Sequence, residues 1–231
     1  MPHRNISKLV IKRLPIYLRI LDQLVQRDVE LISSKELSNE SGFTAEQIRK
    51  DLAYFGAFGT RGSGYNTAYL REKIIKIIGL DTKTNTIVVG GGNLGTALTR
   101  YNVNKNPYVN IVAVFDNDKD LIGHGIEGIT IHSIDSLPNI IKEHNIKVAI
   151  LAVPAGVAQK TVDLLVQHGI LAILNFAPVK LNVPSRVRVH NADLTIELQS
   201  LIYYSSTEEE RLSKLQQDSP KDTAPKTFPI E

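Results

Sequence analysis

The chain has 231 residues, 42% hydrophobic and 22% charged, ordinary globular material with room for one large domain or two modest ones. It contains no cysteine, which excludes a disulfide scaffold, a thiolate zinc site and a thiol redox switch. The net charge of +3 is unevenly spread: residues 1–80 carry 13 Lys and Arg against 8 Asp and Glu, residues 81–231 carry 14 against 16. A basic first third suits a polyanion partner for that part alone, although a solvated basic face gives the same balance.

Met1-Pro2-His3-Arg4 leads into no uninterrupted apolar run of the secretory type, and the longest apolar stretch, around Pro154, is far short of a membrane span. The expectation is a cytoplasmic protein without a membrane partner. Six scattered histidines lack ligand spacing, so no metal is expected.

From Ser7 to Gln26, Leu9, Val10, Leu14, Tyr17, Leu18, Leu21, Leu24 and Val25 recur at helical spacing. Pro15 should either start this helix or kink it. Arg13 and Arg19 lie on it. Ser33-x-x-Glu36 forms a capping box that opens a short helix ending at Gly42, and Thr44-x-x-Gln47 a second box that opens Ala45 to Phe55. Helix, tight turn, helix is the helix-turn-helix pattern. Its second helix carries Gln47, Arg49 and Lys50, long hydrogen-bonding side chains in the half that reaches base edges in a major groove. The alternative is a helical hairpin with a charged exposed face.

Gly56 to Tyr65 reads as a glycine-rich hairpin with Arg61 at its tip, suited to a narrow A·T minor groove. Thr67 is expected to cap a further helix bearing Leu70, Ile74, Ile77 and Ile78, closed by Gly79. Residues 1–80 are thus expected to form a winged-helix DNA-binding domain.

From Thr86 the pattern is strand, helix, strand, repeated, which specifies an α/β parallel sheet over residues 81–192. Strands are expected at 86–90, 110–115, 129–131, 147–153 and 170–175, helices at 93–101, 134–144 and 155–168, and a sixth strand at 187–190. The first strand runs into Gly90-Gly-Gly92-Asn93-Leu94-Gly95, a G-x-G-x-x-G dinucleotide fingerprint opening a helix. Gly90 permits the turn, Gly92 lets backbone approach a pyrophosphate, and Gly95 lets helix pack close to strand, so the helix N-terminus faces the anion. Roughly 20 residues on, Asp116 ends the second strand, where a carboxylate accepts from both ribose hydroxyls of an adenosine. The alternative for Asp116 is an exposed turn residue. Val153-Pro154 and Asn175-Phe176-Ala177-Pro178 end later strands on the edge where ligands bind. The expected cofactor is NAD(H).

Asp193 to Leu215 reads as an apolar terminal helix that needs a partner surface, either its own domain or a second chain, with residues 193–216 taken as a dimerisation segment. Residues 217–231 are rich in Ser, Pro, Lys, Asp and Thr and read as a disordered tail.

Taken together, residues 7–205 resemble the Rex family of redox-sensing transcriptional repressors. The resemblance rests on Arg49-Lys50-Asp51-Leu52, Tyr54-Phe55-Gly56, Gly59-Thr-Arg-Gly62 with Gly64-Tyr65, Asn175-Phe-Ala-Pro178 and Val183-Pro184. It implies a homodimer with the C-terminal helix exchanged between subunits, an inverted-repeat double-stranded DNA operator, and release from it when NADH binds. It also implies that Arg19, Tyr101 and Asp193 couple the nicotinamide pocket to the DNA-binding domains, with Tyr101 beside the cofactor. No catalytic residue is assigned. The alternative is an NAD-dependent oxidoreductase with a structural N-terminal extension, but only about 40 residues follow the sheet, few for a substrate domain. A CoA-binding module is a third reading, which Asp116 disfavours because the CoA ribose carries a phosphate in place of a free diol.

Overall fold

The computed structural model describes residues 6–56, 58–60 and 64–217, and they form two compact units. One takes in the described residues up to Thr84 together with Lys105–Asn110; the other takes in the rest. Among the described residues no helix is long and apolar enough to cross a membrane.

In the first unit, α1 (Lys8–Gln26) runs through Pro15 instead of starting there. Ser7 caps it, accepting from the Leu9 N–H, and Pro15 faces solvent. Then come β1 (Leu31–Ile32), α2 (Ser34–Ser41), α3 (Ala45–Ala53), β2 (Gly59–Thr60), β3 (Gly64–Asn66) and α4 (Thr67–Ile77). β1, β3 and β2 form a small antiparallel sheet in which Leu31 pairs with Asn66 and Gly59 with Tyr65. β1, two residues long, is too short to leave a periodic trace in the sequence. The helices bury Leu14, Tyr17, Leu21, Leu37, Ile48, Leu52, Leu70 and Ile74 in one core.

The capping expectations fare unevenly. At α2 both halves of the box close: Ser33 Oγ accepts from the Glu36 N–H and Glu36 accepts from the Ser33 N–H. At α3 only Thr44 does its part, accepting from the Gln47 N–H at 3.1 Å, while the Gln47 side chain turns to Asp51. α4 is capped by Asn66 and not by Thr67. Thr67 is buried, and its hydroxyl donates to the Val29 and Glu30 carbonyls, so burial claims the side chain that the sequence pattern marked as a cap.

The second unit is built on a seven-stranded sheet ordered β10-β9-β8-β4-β5-β7-β6. Its strands are β4 (Thr84–Val89), β5 (Val109–Asp116), β6 (Gly125–Ile126), β7 (Ile129–Ser133), β8 (Val148–Leu151), β9 (Ala172–Asn175) and β10 (Arg188–Asn191), with the first residues of β4 and β5 counted in the other unit. Helices α5 (Asn93–Lys105), α6 (Leu137–Glu143) and α7 (Ala155–Gln167) alternate with them. Pairing is parallel from β4 through β8 and β9 to β10, and between β5 and β7. Buried residues such as Ile87, Val89, Phe115, Leu151 and Val162 fill the core, as strands covered on both faces require.

Two details depart from the expected elements. β6 is an antiparallel edge strand, paired Ile126 to Ile129, where a loop was expected. The helix expected at 134–144 divides into a 3-10 turn, Ile134–Ser136, and α6, with Pro138 in its first turn where no N–H is needed. α8 (Leu194–Gln217) closes the described chain and exposes Ile196, Leu198, Leu201, Ile202, Tyr203 and Tyr204. The expected tail, residues 217–231, lies outside the described residues beyond Gln217.

Candidate nucleotide and nucleic-acid sites

The order β7-β5-β4-β8-β9-β10 reverses direction at β4, and this is the switch point at which open α/β sheets bind ligands. A cleft of about 550 Å³ opens there, walled by Val89, Gly90, Gly92, Asn93 and Leu94 from the fingerprint, Asp116 from β5, and Val153 and Pro154 after β8.

Two of the three fingerprint glycines have a steric reason within the protein itself. Gly90 sits at φ +105°, and a Cβ there would come within 2.3 Å of the Ala152 carbonyl oxygen. A Cβ on Gly95 would lie 1.7 Å from the Gly90 carbonyl oxygen, so only glycine lets α5 start this close to β4. A Cβ on Gly92 would meet nothing within 4 Å, so its backbone borders open space in the cleft wall. The α5 N-terminus opens at Asn93, with its first-turn N–H groups available to an anion.

Asp116 is more than a strand tip. Its Oδ2 accepts from the Gly91 N–H at 2.5 Å, and its Oδ1 accepts from the Asn117 and Asp118 N–H groups at 2.7 and 2.9 Å. Gly91, unremarked in the fingerprint reading, is buried and carries the hydrogen bond that joins the loop to β5. Asp118, Leu121, Ile134 and Thr161 also line the cleft. Asp118 was within reach of sequence reasoning, two residues past Asp116; Ile134 and Thr161 come from distant segments with no local signal. Asn175 is buried behind the strand ends, accepting from the Ala177 N–H and donating to the Ala177, Val179 and Asn191 oxygens, which fixes the turn after β9.

Within the second unit, Tyr101 and Asp193, two of the residues matched to a switch, are not in the cleft wall. Tyr101 is on α5, 63% exposed. Arg19 is exposed on α1. Asp193 precedes α8, and its Oδ1 accepts from the Thr195 and Ile196 N–H groups at 3.0 and 3.2 Å, which makes it the helix N-cap.

In the first unit, α3 presents Arg49 and Lys50 to solvent. Arg49 donates to Ser34 Oγ at 2.8 Å, tying α3 to the first turn of α2. Lys50 pairs with Glu46 one turn back at 2.7 Å, an exposed contact that a phosphate can displace at little cost. Gln47 is half-buried, with Nε2 donating to Asp51 Oδ1 at 2.7 Å. Asp51 is fully buried and also accepts from Arg13 Nε at 2.5 Å, Arg13 Nη2 at 2.8 Å and the Tyr17 hydroxyl at 2.8 Å. Burial alone pushes the Asp51 carboxyl up, but the bonds from Arg13, Tyr17 and Gln47 outweigh it and hold the group below the usual carboxylate range. Burial and the bond to Asp51 push the Tyr17 hydroxyl well above its ordinary value. Arg61, expected at the hairpin tip, lies outside the described residues.

Among the described residues no group of three or more His, Asp or Glu is placed to hold a metal ion. Residues 81–179 match a family model described as "CoA binding domain", and residues 5–53 one described as "Putative DNA-binding protein N-terminus". The redox-sensing transcriptional repressor Rex of Natranaerobius thermophilus is 58% identical over 199 residues, covering 86% of this chain and 91% of its own. The Rex repressor of Halalkalibacterium halodurans is 46% identical over 200 residues, 87% of this chain and 94% of its own. Among solved structures, RSP, a Rex-family repressor, in complex with beta-NAD+ and operator DNA superposes with a TM-score of 0.82 at 41% identity, covering 93% of this chain and 98% of that one. RSP in complex with beta-NADH gives 0.79 at 40% identity, covering 90% and 98%. These relatives are named as repressors and not as dehydrogenases, which sets the oxidoreductase alternative aside. Match along most of its length, with the winged helix and the nucleotide-binding sheet both present, makes this chain a member of the Rex family of redox-sensing transcriptional repressors.

Proposed function

We propose that this chain is a cytoplasmic repressor that binds an inverted-repeat DNA operator as a homodimer and leaves it when NADH binds. The observation that carries the reading is the switch-point cleft, where Asp116 is held at the rim by the Gly91 N–H while the fingerprint lines one wall. Gly90, Gly92, Asn93, Leu94 and Gly95 would seat the pyrophosphate at the α5 N-terminus, Asp116 the adenosine ribose, and Val153 and Pro154 the apolar flank. A carboxylate at the ribose disfavours the phosphate-bearing ribose of CoA, so NAD(H) suits this wall better than the ligand in the matched model's description.

Residues 1–80 then serve as the DNA-binding domain, with Gln47, Arg49, Lys50 and Arg61 as the contacting residues, and 81–192 as the nucleotide domain. The exposed apolar stretch of α8 is the surface that a second copy covers. Leu201, Ile202, Tyr203 and Tyr204 are each more than half exposed, an arrangement that a lone helix in water does not favour. Arg19, Tyr101 and Asp193 are the proposed coupling residues.

The nicotinamide ring is neutral in NADH and cationic in NAD+. A state that buries the ring therefore favours NADH, because a buried cation needs compensation. Swinging a DNA-bound population from 99:1 to 1:99 takes about 5.5 kcal/mol, or roughly half that per site in a dimer. The test is a gel-shift titration on an operator selected from random inverted repeats: NADH should release the DNA and NAD+ should not. DNA binding indifferent to both cofactors would refute the reading.

A further inference from the structure

Arg49 and Lys50 end on exposed, displaceable partners, whereas the head of Gln47 is fixed from inside the domain. Gln47 stands in the first turn of α3, and the Asp51 it donates to is fully buried and locked by Arg13 and Tyr17. An ionised carboxylate only accepts hydrogen bonds, so the carboxamide must turn its NH2 end towards Asp51, and the chemistry settles which atom is which. This leaves Oε1 beside the second amide N–H. Among the described residues Oε1 has no partner. An acceptor and a donor side by side in one plane match the adenine edge in the major groove, N6–H and N7, and no other base edge pairs with that fork in both places.

We propose that Gln47 is a specificity-determining residue that reads one adenine per half-site, and that Asp51 is the positioning residue that fixes the polarity of its amide. This rests on the DNA-binding reading above. Ordering the side chain before contact reduces the rotamer freedom lost on binding, so the reading edge is presented rather than selected from several. Arg13 and Tyr17 act behind it: they hold the carboxylate in place and keep it charged, so its acceptor character persists at neutral pH.

The test uses the full chain and the operator that the wild type selects, with every base pair of a half-site replaced in turn. Wild type should show one position where A·T is preferred by about 5- to 150-fold, the range of a bidentate contact. In Gln47→Ala that preference should vanish at that position alone, the other positions keeping theirs. Gln47→Glu sets a second carboxylate against Asp51 and cannot donate, so it should lose the same preference. Asp51→Asn keeps the shape but lets the amide turn either way, so a folded variant should show a partial loss there. Uniform weakening at all positions in Gln47→Ala, or an intact adenine preference in either Gln47 variant, overturns the proposal. Full preference in a folded Asp51→Asn overturns the positioning role. A wild type that selects no sequence removes the repressor reading and this inference with it.

Discussion

The Asp116 carboxylate and the Gly91 backbone are joined by a 2.5 Å hydrogen bond from the end of β5 to the middle of the glycine loop. With two more N–H groups on its other oxygen, Asp116 both shapes the loop and sets a negative charge where we propose that the ribose binds.

Asp116→Ala should therefore do two things at once. Loss of charge-assisted bonds of about 1.5–3 kcal/mol should weaken NADH by roughly 10- to 150-fold. Removing the negative charge should also narrow the gap between NADH and NADPH, because nothing then repels the extra phosphate. Fluorescence titration with both cofactors checks it; equal affinities in the wild type would sink the ribose assignment.

Gly95→Ala is the sharpest steric test. Its Cβ would lie 1.7 Å from the Gly90 carbonyl oxygen, which is backbone and cannot swing aside. The start of α5 must move away from β4, at a cost of about 1–3 kcal/mol or more. The expected result is a lower thermal midpoint together with loss of NADH binding. Gly92→Ala, with open space around its Cβ, should leave stability nearly unchanged while still obstructing the ligand.

Arg13 and Asp51 give the winged helix a defined response to pH. The folded Asp51 carboxyl lies below its unfolded value of about 3.9, so its contribution is present above that value and lost as pH falls through the folded one. Tyr17 is raised instead, so its contribution is full below about 10 and lost as pH climbs above it. Arg13→Ala would leave the Asp51 charge buried without its ion-pair partner. With Arg13 retaining 15% side-chain exposure, a loss near the lower end of the 3–5 kcal/mol range, about 3 kcal/mol, is expected. Circular dichroism melts between pH 3 and 11 check both limits, and a flat profile in the acid arm would contradict the Asp51 assignment.

Asp193 has two separable tasks, a helix cap that the structure shows and a switch charge that we propose. Asp193→Ala should lower stability by about 1 kcal/mol through loss of the α8 cap and should also blunt NADH-driven release of DNA. Asp193→Asn caps as well as aspartate and should preserve the melting point, yet release should still fail because the charge is gone. Normal release by the Asn variant in a gel-shift titration would assign Asp193 to capping alone.

Much of this was legible in the chain itself. Gly90, Gly92 and Gly95 announce a strand-to-helix turn because their spacing is a local backbone requirement, and Ser33 with Glu36 closes its capping box within four residues. The apolar runs of β4, β8 and β9 mark a sheet covered on both faces for the same reason: the signal lies in a few consecutive side chains. Tertiary structure alone decided which polar groups are occupied. Gly91 finds Asp116 25 residues away, Asp51 finds Arg13 38 residues away, and Thr67 is taken from the α4 cap by the Val29 carbonyl, also 38 residues distant. Local pattern reports what a side chain can do with its neighbours in sequence. Burial then decides, because a polar atom removed from water must be satisfied by whatever the fold brings within hydrogen-bonding distance, however far off it lies in the chain.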